Sequence, residues 1–195
     1  MKLLHIDSSA LGQNSVTREL GAAIVAHWSA RADRPQVQYR DLDLEPLPHL
    51  NGRSLAKADP AEAAQAEQVL EQFLAADVLV IGAPMYNFGI PSTLKAWIDR
   101  IAVAGRSFRY TESGALGLAG GKTVIIASAR GGLHTGAPTD FQEPYLRQVF
   151  AFLGIDDVRF VRAEGVALSP GHRAEAIAAA LAAIPGQDEE LRQAA

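Results

Sequence analysis

Along the chain, short strand-like blocks alternate with stretches in which apolar residues recur at helical spacing. The strand-like blocks occupy residues 2–7, 36–41, 77–81, 122–128 and 157–163. Between them, apolar residues return every three or four positions, as on a helix that packs one face against a core. The predicted helices span residues 16–30, 61–75, 94–104, 139–153 and 173–184. This alternation predicts a parallel sheet with helices on both faces.

Five strands in such an alternation suit the flavodoxin-like order 2-1-3-4-5, an α/β three-layer sandwich. We expect one domain over residues 1–195, with a polar tail after Pro185. Gly105 is predicted to end the third helix, because glycine favours the position after a helix C-terminus. The strand order reverses between strands 1 and 3, so the loops 8–17, 83–91 and 128–132 are predicted to meet at one edge of the sheet.

Composition narrows the possible functions. The chain has 195 residues, a hydrophobic content of 48% and a net charge of −4, with no basic run of the kind that binds nucleic acid. It has no cysteine, which excludes disulfides and thiolate chemistry, and its five histidines show no metal-ligand spacing. No apolar stretch reaches the ~18–20 residues that span a bilayer. We therefore expect a cytoplasmic protein without a metal, a nucleic-acid partner or a membrane partner.

The first loop is rich in hydroxyl groups. Ser9, Ser15 and Thr17 lie beside the predicted start of a helix near Val16. Free backbone N–H groups and the positive end of the helix dipole at such a start favour a phosphate. The same residues would also serve as ordinary helix caps and turn formers. The loop lacks the GxGxxG pattern, which favours a mononucleotide over a dinucleotide.

The other two loops offer surfaces for a planar ligand. Met85, Tyr86 and Phe88 are too apolar for an ordinary solvent loop, and Asn87 among them supplies amide donors and an acceptor. The third loop contains adjacent glycines, which allow close approach of the backbone to a ligand but also serve turns with positive φ. A phosphate site, an aromatic wall and a glycine-lined edge together match flavin mononucleotide (FMN).

Several segments carry a specific resemblance. The stretches 83–88 (APMYNF), 109–111 (RYT), 130–132 (RGG) and 136–140 (GAPTD) resemble the FMN-dependent NADH azoreductases, which are also called FMN-dependent NADH:quinone oxidoreductases. The similarity runs from about residue 2 to about residue 183. It implies a flavodoxin-like homodimer with one FMN per subunit at the dimer interface.

The resemblance also implies residue roles. The phosphate of FMN would be held by Ser9, Ser15, Val16 and Thr17. The isoalloxazine ring would contact Met85, Tyr86, Asn87 and Phe88, and the glycine loop Ala129, Arg130, Gly131 and Gly132. Family members often have serine where this chain has Ala129, so one hydroxyl contact is lost. Tyr110 and Phe152 fall where family members shape the substrate pocket, in part across the dimer.

The implied activity is reduction of quinones and azo compounds by NADH or NADPH, through ping-pong hydride transfer at flavin N5. The cofactor would carry this chemistry, so no catalytic side chain is expected, and His134 is interpreted as a loop histidine. The alternative is a flavodoxin-like electron carrier without its own substrate, which the modest charge of −4 disfavours. A response-regulator-like domain is disfavoured because no acidic cluster follows the first strand. The role of segment 42–60, in the pocket or in the dimer, stays open.

Overall fold

The computed structural model describes residues 1–184, so the polar tail predicted after Pro185 lies outside the described residues. The main sheet contains β1 (Lys2–Asp7), β2 (Gln36–Asp41), β3 (Val78–Pro84), β6 (Thr123–Ala129) and β7 (Asp157–Ala163). Its order is β2-β1-β3-β6-β7, and every neighbouring pair is parallel. This is the predicted flavodoxin-like order, because β4 (Phe108–Thr111) and β5 (Gly114–Gly117) form a separate hairpin and do not join this sheet.

The helices cover both faces of the sheet. They are α1 (Val16–Ser29), α2 (Gly52–Leu55), α3 (Pro60–Ala75), α4 (Ser92–Ile101), α5 (Gln142–Phe152) and α6 (Pro170–Ala182). Alternating strand residues separate two apolar cores, as the strand period of two requires. Leu4 and Leu79 face the core that includes residues of α3, α4 and α5, whereas Leu3 and Val80 face the core that includes residues of α1 and α6.

Capping side chains set where the helices begin. Ser15 accepts a hydrogen bond from the Arg18 amide, Asp59 from the amides of Ala61 and Glu62, and Ser169 from the His172 amide. Each cap satisfies donors that the first helical turn leaves without a partner. Proline at the first position of α3 and α6 moves their starts to residues 60 and 170, ahead of the predicted 61 and 173.

The predicted end of the helix after β3 was wrong. The helix α4 ends at Ile101, and Gly105, with φ of 80°, lies in a later turn. Ser107 explains the early end, because its hydroxyl donates to the Ile101 carbonyl at 2.5 Å and accepts from the Val103 amide at 2.9 Å. A side chain six residues beyond the helix end therefore satisfies the terminal carbonyl, and the periodicity of apolar residues does not predict this contact.

A hairpin follows α4. Its strands β4 (Phe108–Thr111) and β5 (Gly114–Gly117) pair antiparallel, and β5 was not predicted. Gly117 lies against Gly154 at the end of α5, so closely that a Cβ added to Gly117 would fall 2.1 Å from the Gly154 nitrogen. Only glycine allows this approach, and the contact packs the base of the hairpin against the helix layer.

No helix within residues 1–184 is long and apolar enough to cross a membrane.

Candidate active site

The three predicted loops meet at the carboxyl edge of the sheet. The Tyr86 hydroxyl lies 3.3 Å from the Ser9 hydroxyl, which joins the loop after β1 to the loop after β3. The Met85 amide donates to the Ala129 carbonyl at 2.9 Å, which joins the loop after β3 to the end of β6. Hydrogen bonds thus connect all three segments at the predicted switch point.

The loop after β1 presents an anion site. Ser9, Ser15, Val16 and Thr17 are all buried at the start of α1, and the hydroxyls of Ser15 and Thr17 lie 3.1 Å apart. The Ser15 hydroxyl also accepts from the Arg18 amide. In the described part of the chain, the amides of Val16 and Thr17 have no hydrogen-bond acceptor. Two free N–H groups, two hydroxyls and the positive end of a 14-residue helix converge there.

Arg18 turns away from this anion site. Its guanidinium forms a two-point ion pair with Asp41, at 2.5 and 2.9 Å, and donates to the Ser9 carbonyl at 3.0 Å. Burial alone would raise the pKa of the Asp41 carboxyl, but the hydrogen bonds from Arg18 and from the amides of Asp43 and Leu44 lower it. Arg18 therefore braces the backbone of the first loop, with its charge matched by Asp41.

A second buried pair lies below the same loop. His5 and Asp7 are 8% and 3% exposed, and Nε2 of His5 lies 3.7 Å from Oδ1 of Asp7. Burial lowers the pKa of His5 and raises the pKa of Asp7. The Tyr39 hydroxyl donates to the other Asp7 oxygen at 2.9 Å. Both shifts favour the neutral form of the group concerned, because burial penalises charge.

The loop after β3 contains a strained turn. Tyr86 and Gly89 exchange backbone hydrogen bonds of 2.9 and 3.0 Å, and the two residues between them, Asn87 and Phe88, have φ of 50° and 68°. Asparagine tolerates positive φ, but a bulky residue such as phenylalanine does not adopt it readily. Strain of this kind persists where the surrounding structure enforces it, often at a ligand site. Phe88 is 51% exposed, and its ring meets the His134 ring edge-on.

The glycine loop after β6 offers free amides. The amides of Gly131 and Gly132 have no hydrogen-bond acceptor within residues 1–184, although their carbonyls accept from Ala167 and Gly165. A Cβ on Gly132 would fall 3.0 Å from Nε2 of His134, so a larger residue would press against that ring. Ala129 is buried, and its carbonyl is the acceptor for Met85. The loop thus supplies N–H donors on a backbone without side chains in the way.

Arg130 has a different environment from its neighbours. Its side chain is fully buried and pairs with Asp140 at 2.8 Å, Glu143 at 2.9 Å and Glu164 at 3.3 Å. Its amide donates to the Ala163 carbonyl at 3.0 Å. These internal partners occupy the groups through which Arg130 would contact a ligand directly.

The predicted substrate-pocket residues lie at the hairpin. Tyr110 is 76% exposed on β4, and Phe152 packs beneath it through Phe108, with ring centroids 5.4 Å and 4.4 Å from Phe108. Tyr110 also borders a largely apolar cavity of about 460 Å³, together with Leu50 and Arg53 from segment 42–60. This segment contains α2 and is tied to α4 by a 2.9 Å hydrogen bond from Arg100 to the Pro48 carbonyl.

Sequence reasoning missed the polar side chains under the loops. Gln142, fully buried, donates to the carbonyls of Ala83 and Pro84 at 3.1 and 3.0 Å and accepts from the Ser128 hydroxyl at 3.1 Å. Glu164 accepts from the amides of His134 and Thr135. Arg130, which directly follows the buried strand β6, was a usable signal for Glu164, because a buried positive charge requires carboxylates nearby. Among the described residues, no group of three or more His, Asp or Glu could hold a metal ion.

Known proteins resemble this chain over almost its whole length. The model of a family described as having a flavodoxin-like fold matches residues 1–186. Proteins named FMN-dependent NADH:quinone oxidoreductase are 69% identical over 190 residues in Xanthomonas euvesicatoria and 66% identical over 188 residues in Stenotrophomonas maltophilia. These matches cover 97% and 96%, respectively, of both chains.

A solved structure agrees with these relatives. An FMN-dependent NADH-azoreductase from Bacillus anthracis, in complex with FMN, is 26% identical, with a TM-score of 0.83 and coverage of 94% of this chain and 96% of that chain. The fold, the site and the relatives lead to one assignment: the chain belongs to the flavodoxin-like family of FMN-dependent NADH:quinone oxidoreductases.

Proposed function

We propose that this protein binds FMN and reduces quinones and azo compounds with NADH or NADPH, working as a homodimer in a ping-pong cycle. The observation that carries the proposal is the meeting of three loops at one sheet edge, joined by the Ser9–Tyr86 and Met85–Ala129 contacts. The names of the relatives supply the reaction class. The cytoplasmic location stays a prediction from the sequence.

The phosphate end of FMN fits the start of α1. We assign its oxygens to the free amides of Val16 and Thr17 and to the hydroxyls of Ser9, Ser15 and Thr17. A phosphate dianion is favoured there by the helix dipole, whereas Arg18 is already paired with Asp41. Within residues 1–184, Arg173 also reaches this loop, where its Nη2 donates to the Asn14 carbonyl at 2.9 Å.

The ring of FMN fits between the second and third loops. Met85, Tyr86 and Phe88 supply an apolar wall, and Asn87 offers an amide to the polar edge of the ring. The free amides of Gly131 and Gly132 suit its carbonyl oxygens, where donors stabilise negative charge. Ala129 and Arg130 hold these glycines in place through the Met85 and Ala163 backbone contacts.

When bound, FMN supplies the redox chemistry by accepting a hydride from the nicotinamide and passing two electrons to the acceptor. The protein holds the ring, excludes water from one face and stacks a flat substrate on the other. We assign the stacking surface to Tyr110 and Phe152, in part across the dimer. Because Tyr110 is highly exposed beside this cavity, a second subunit packed on this face would complete the pocket.

Steady-state kinetics with the purified protein tests the proposal. We expect flavin absorption bands after FMN reconstitution, turnover of a benzoquinone and of an azo dye with NADH or NADPH, and parallel double-reciprocal lines. A protein that binds FMN but turns over neither acceptor would instead be the electron carrier of the alternative hypothesis. Failure to bind FMN at all would remove the proposal. Sedimentation of the holoprotein separates dimer from monomer.

A further inference from the structure

A continuous line of buried polar side chains connects the second and third loops. Nε of Arg130 donates to the Ser128 hydroxyl at 3.3 Å, and that hydroxyl donates to Oε1 of Gln142 at 3.1 Å. The Gln142 amide then donates to the carbonyls of Ala83 and Pro84. We name Arg130, Ser128 and Gln142 the Gln142 relay. All three are at most 1% exposed, so no solvent competes for these hydrogen bonds.

One end of the relay fixes the backbone that enters the second loop. Ala83 and Pro84 are the last residues of β3, opposite Ser128 and Ala129 of β6, and Met85 follows directly. The side-chain amide of Gln142 has two N–H donors, and each is matched by one of the two carbonyls. A glutamate at this position would lack those donors, and an apolar residue would leave two buried carbonyls without this partner.

The other end fixes the third loop. Nη1 of Arg130 lies 3.3 Å from Glu164, and the same Glu164 oxygen accepts from the amides of His134 and Thr135 at 2.7 and 2.9 Å. Burial alone would raise the pKa of Glu164, but these hydrogen bonds lower it, so the carboxylate stays charged and binds both amides. The free amides of Gly131 and Gly132 lie between these two anchored points.

We propose that the Gln142 relay is a positioning device that sets the separation of the two loops around the flavin ring, and so controls ring affinity and the reduction potential of the bound flavin. The inference rests on the proposed function. None of the three side chains needs to contact the cofactor. The relay makes hydrogen bonds to the ring loops and none to the described residues at the start of α1, so we expect its loss to act mainly on binding of the ring.

Two probes distinguish these effects. FMN and riboflavin share the ring, but riboflavin lacks the phosphate, and both are titrated into apoprotein by fluorescence quenching. We expect Q142L and the milder S128A to weaken both ligands by a similar factor, roughly tenfold for Q142L, which corresponds to about 1.4 kcal/mol. We also expect a more negative reduction potential for bound FMN and an altered absorption envelope, because the glycine amides no longer face the ring edge correctly.

A matched control is Q72L. Gln72 accepts hydrogen bonds from the buried Arg40 at 3.1 and 2.8 Å, between α3 and β2, away from the three loops. Its loss should lower the melting temperature and leave flavin affinity and potential unchanged. If Q142L does not fold, S128A decides the question. If the relay variant binds riboflavin within about twofold of wild type and the reduction potential of its bound FMN is unchanged, this inference is wrong and the proposed function stands. If the wild-type protein binds neither FMN nor riboflavin, the proposed function is wrong as well.

Discussion

The hydroxyl of Tyr86 lies 3.3 Å from the hydroxyl of Ser9 and accepts a hydrogen bond from the Ala10 amide at 3.1 Å. One side chain of the aromatic loop is therefore fixed to the loop that we assign to the phosphate of FMN. The phosphate end and the ring end of the site are held at a defined distance by this contact.

We expect Tyr86→Phe to weaken FMN binding about fivefold, because a neutral hydrogen bond contributes about 1 kcal/mol. Fluorescence quenching with apoprotein measures the dissociation constant. Tyr145→Phe is the matched control, since Tyr145 is a half-buried tyrosine that packs against the core from α5. Equal affinities for the two variants would show that the Tyr86 hydroxyl does not couple the loops.

The strained turn predicts opposite effects on stability and binding. In Phe88→Asn, the new residue tolerates the φ of 68°, so the free energy of unfolding of the apoprotein should rise by about 0.5–1 kcal/mol. FMN and quinone binding should weaken, because the apolar wall is shortened. Urea unfolding and flavin titration measure the two effects.

Phe141→Gln controls for the loss of an exposed aromatic ring, because asparagine at this N-cap position of α5 could add a stabilising helix cap. Phe141 is 63% exposed and has φ of −91°, so it carries no comparable strain. A stabilisation as large as that of Phe88→Asn would mean that removing surface phenylalanine, and not relief of the backbone, is responsible.

The Arg18–Asp41 pair predicts coupled variants. Arg18→Met and Asp41→Asn should each weaken FMN binding about fivefold, because each frees the Ser9 carbonyl from its brace, and the double variant should be little worse than either. Isothermal calorimetry with FMN gives the double-mutant cycle. Arg106→Met is the control, since Arg106 pairs with Glu67 and Glu71 on the surface, where ion pairs contribute little. If the losses of FMN-binding free energy in Arg18→Met and Asp41→Asn add fully in the double variant, the two residues do not act together on the Ser9 carbonyl.

His5 predicts a pH dependence of stability. Burial holds the pKa of His5 below its ordinary value of 6.5, so the unfolded chain takes up a proton before the folded protein does as pH falls. The free energy of unfolding should therefore decrease below about pH 6.5 until the folded-state pKa is reached. Asp7, Arg18 and Tyr39 face this ring. Burial raises the pKa of Asp7, so the contribution of Asp7 to the free energy of unfolding has the opposite pH dependence and decreases as pH rises above the ordinary value of 3.8.

Chemical unfolding of wild type and His5→Phe between pH 7.5 and 5.5 measures this effect. The difference in unfolding free energy should shift in favour of the variant as pH falls. A constant difference over that range contradicts the assignment of the titration to His5.

The sheet was predictable because its central strands β1, β3 and β6 are short apolar blocks buried on both faces, and the parallel order follows from the alternation of strands with helices. The end of α4, which is set by a side chain outside the helix, was not predictable. Ser107 ends α4 by reaching back to the Ile101 carbonyl, and no periodicity reports such a contact. Strand β5, with the sequence GALG, was missed because it has little strand propensity of its own and forms by pairing with β4.

The site shows the same division. Hydroxyls, aromatics and glycines could be found because their side-chain chemistry is visible in the sequence, and their meeting followed from the strand order. The residues that hold these loops in place could not be identified from their side-chain chemistry. Gln142 is an ordinary residue at the start of a helix until the Ala83 and Pro84 carbonyls are placed beside it. Arg130 was predicted to bind the cofactor, and this stays a prediction. That its side chain pairs with Asp140, Glu143 and Glu164 could not be read from the sequence, because the fold brings these carboxylates together.

The glycine contact at the base of the hairpin has a consequence for engineering. Gly117 and Gly154 fix where β4 and β5 leave the body of the protein, whereas the residues toward the turn, among them Tyr110, are largely solvent-exposed. Substitutions at the tip would therefore alter the surface that we assign to the electron acceptor with little cost to folding, and substitutions at the two glycines would detach the hairpin from the helix layer. A library that randomises residues 109–113 and retains both glycines is a rational starting point for changing which acceptors the protein reduces.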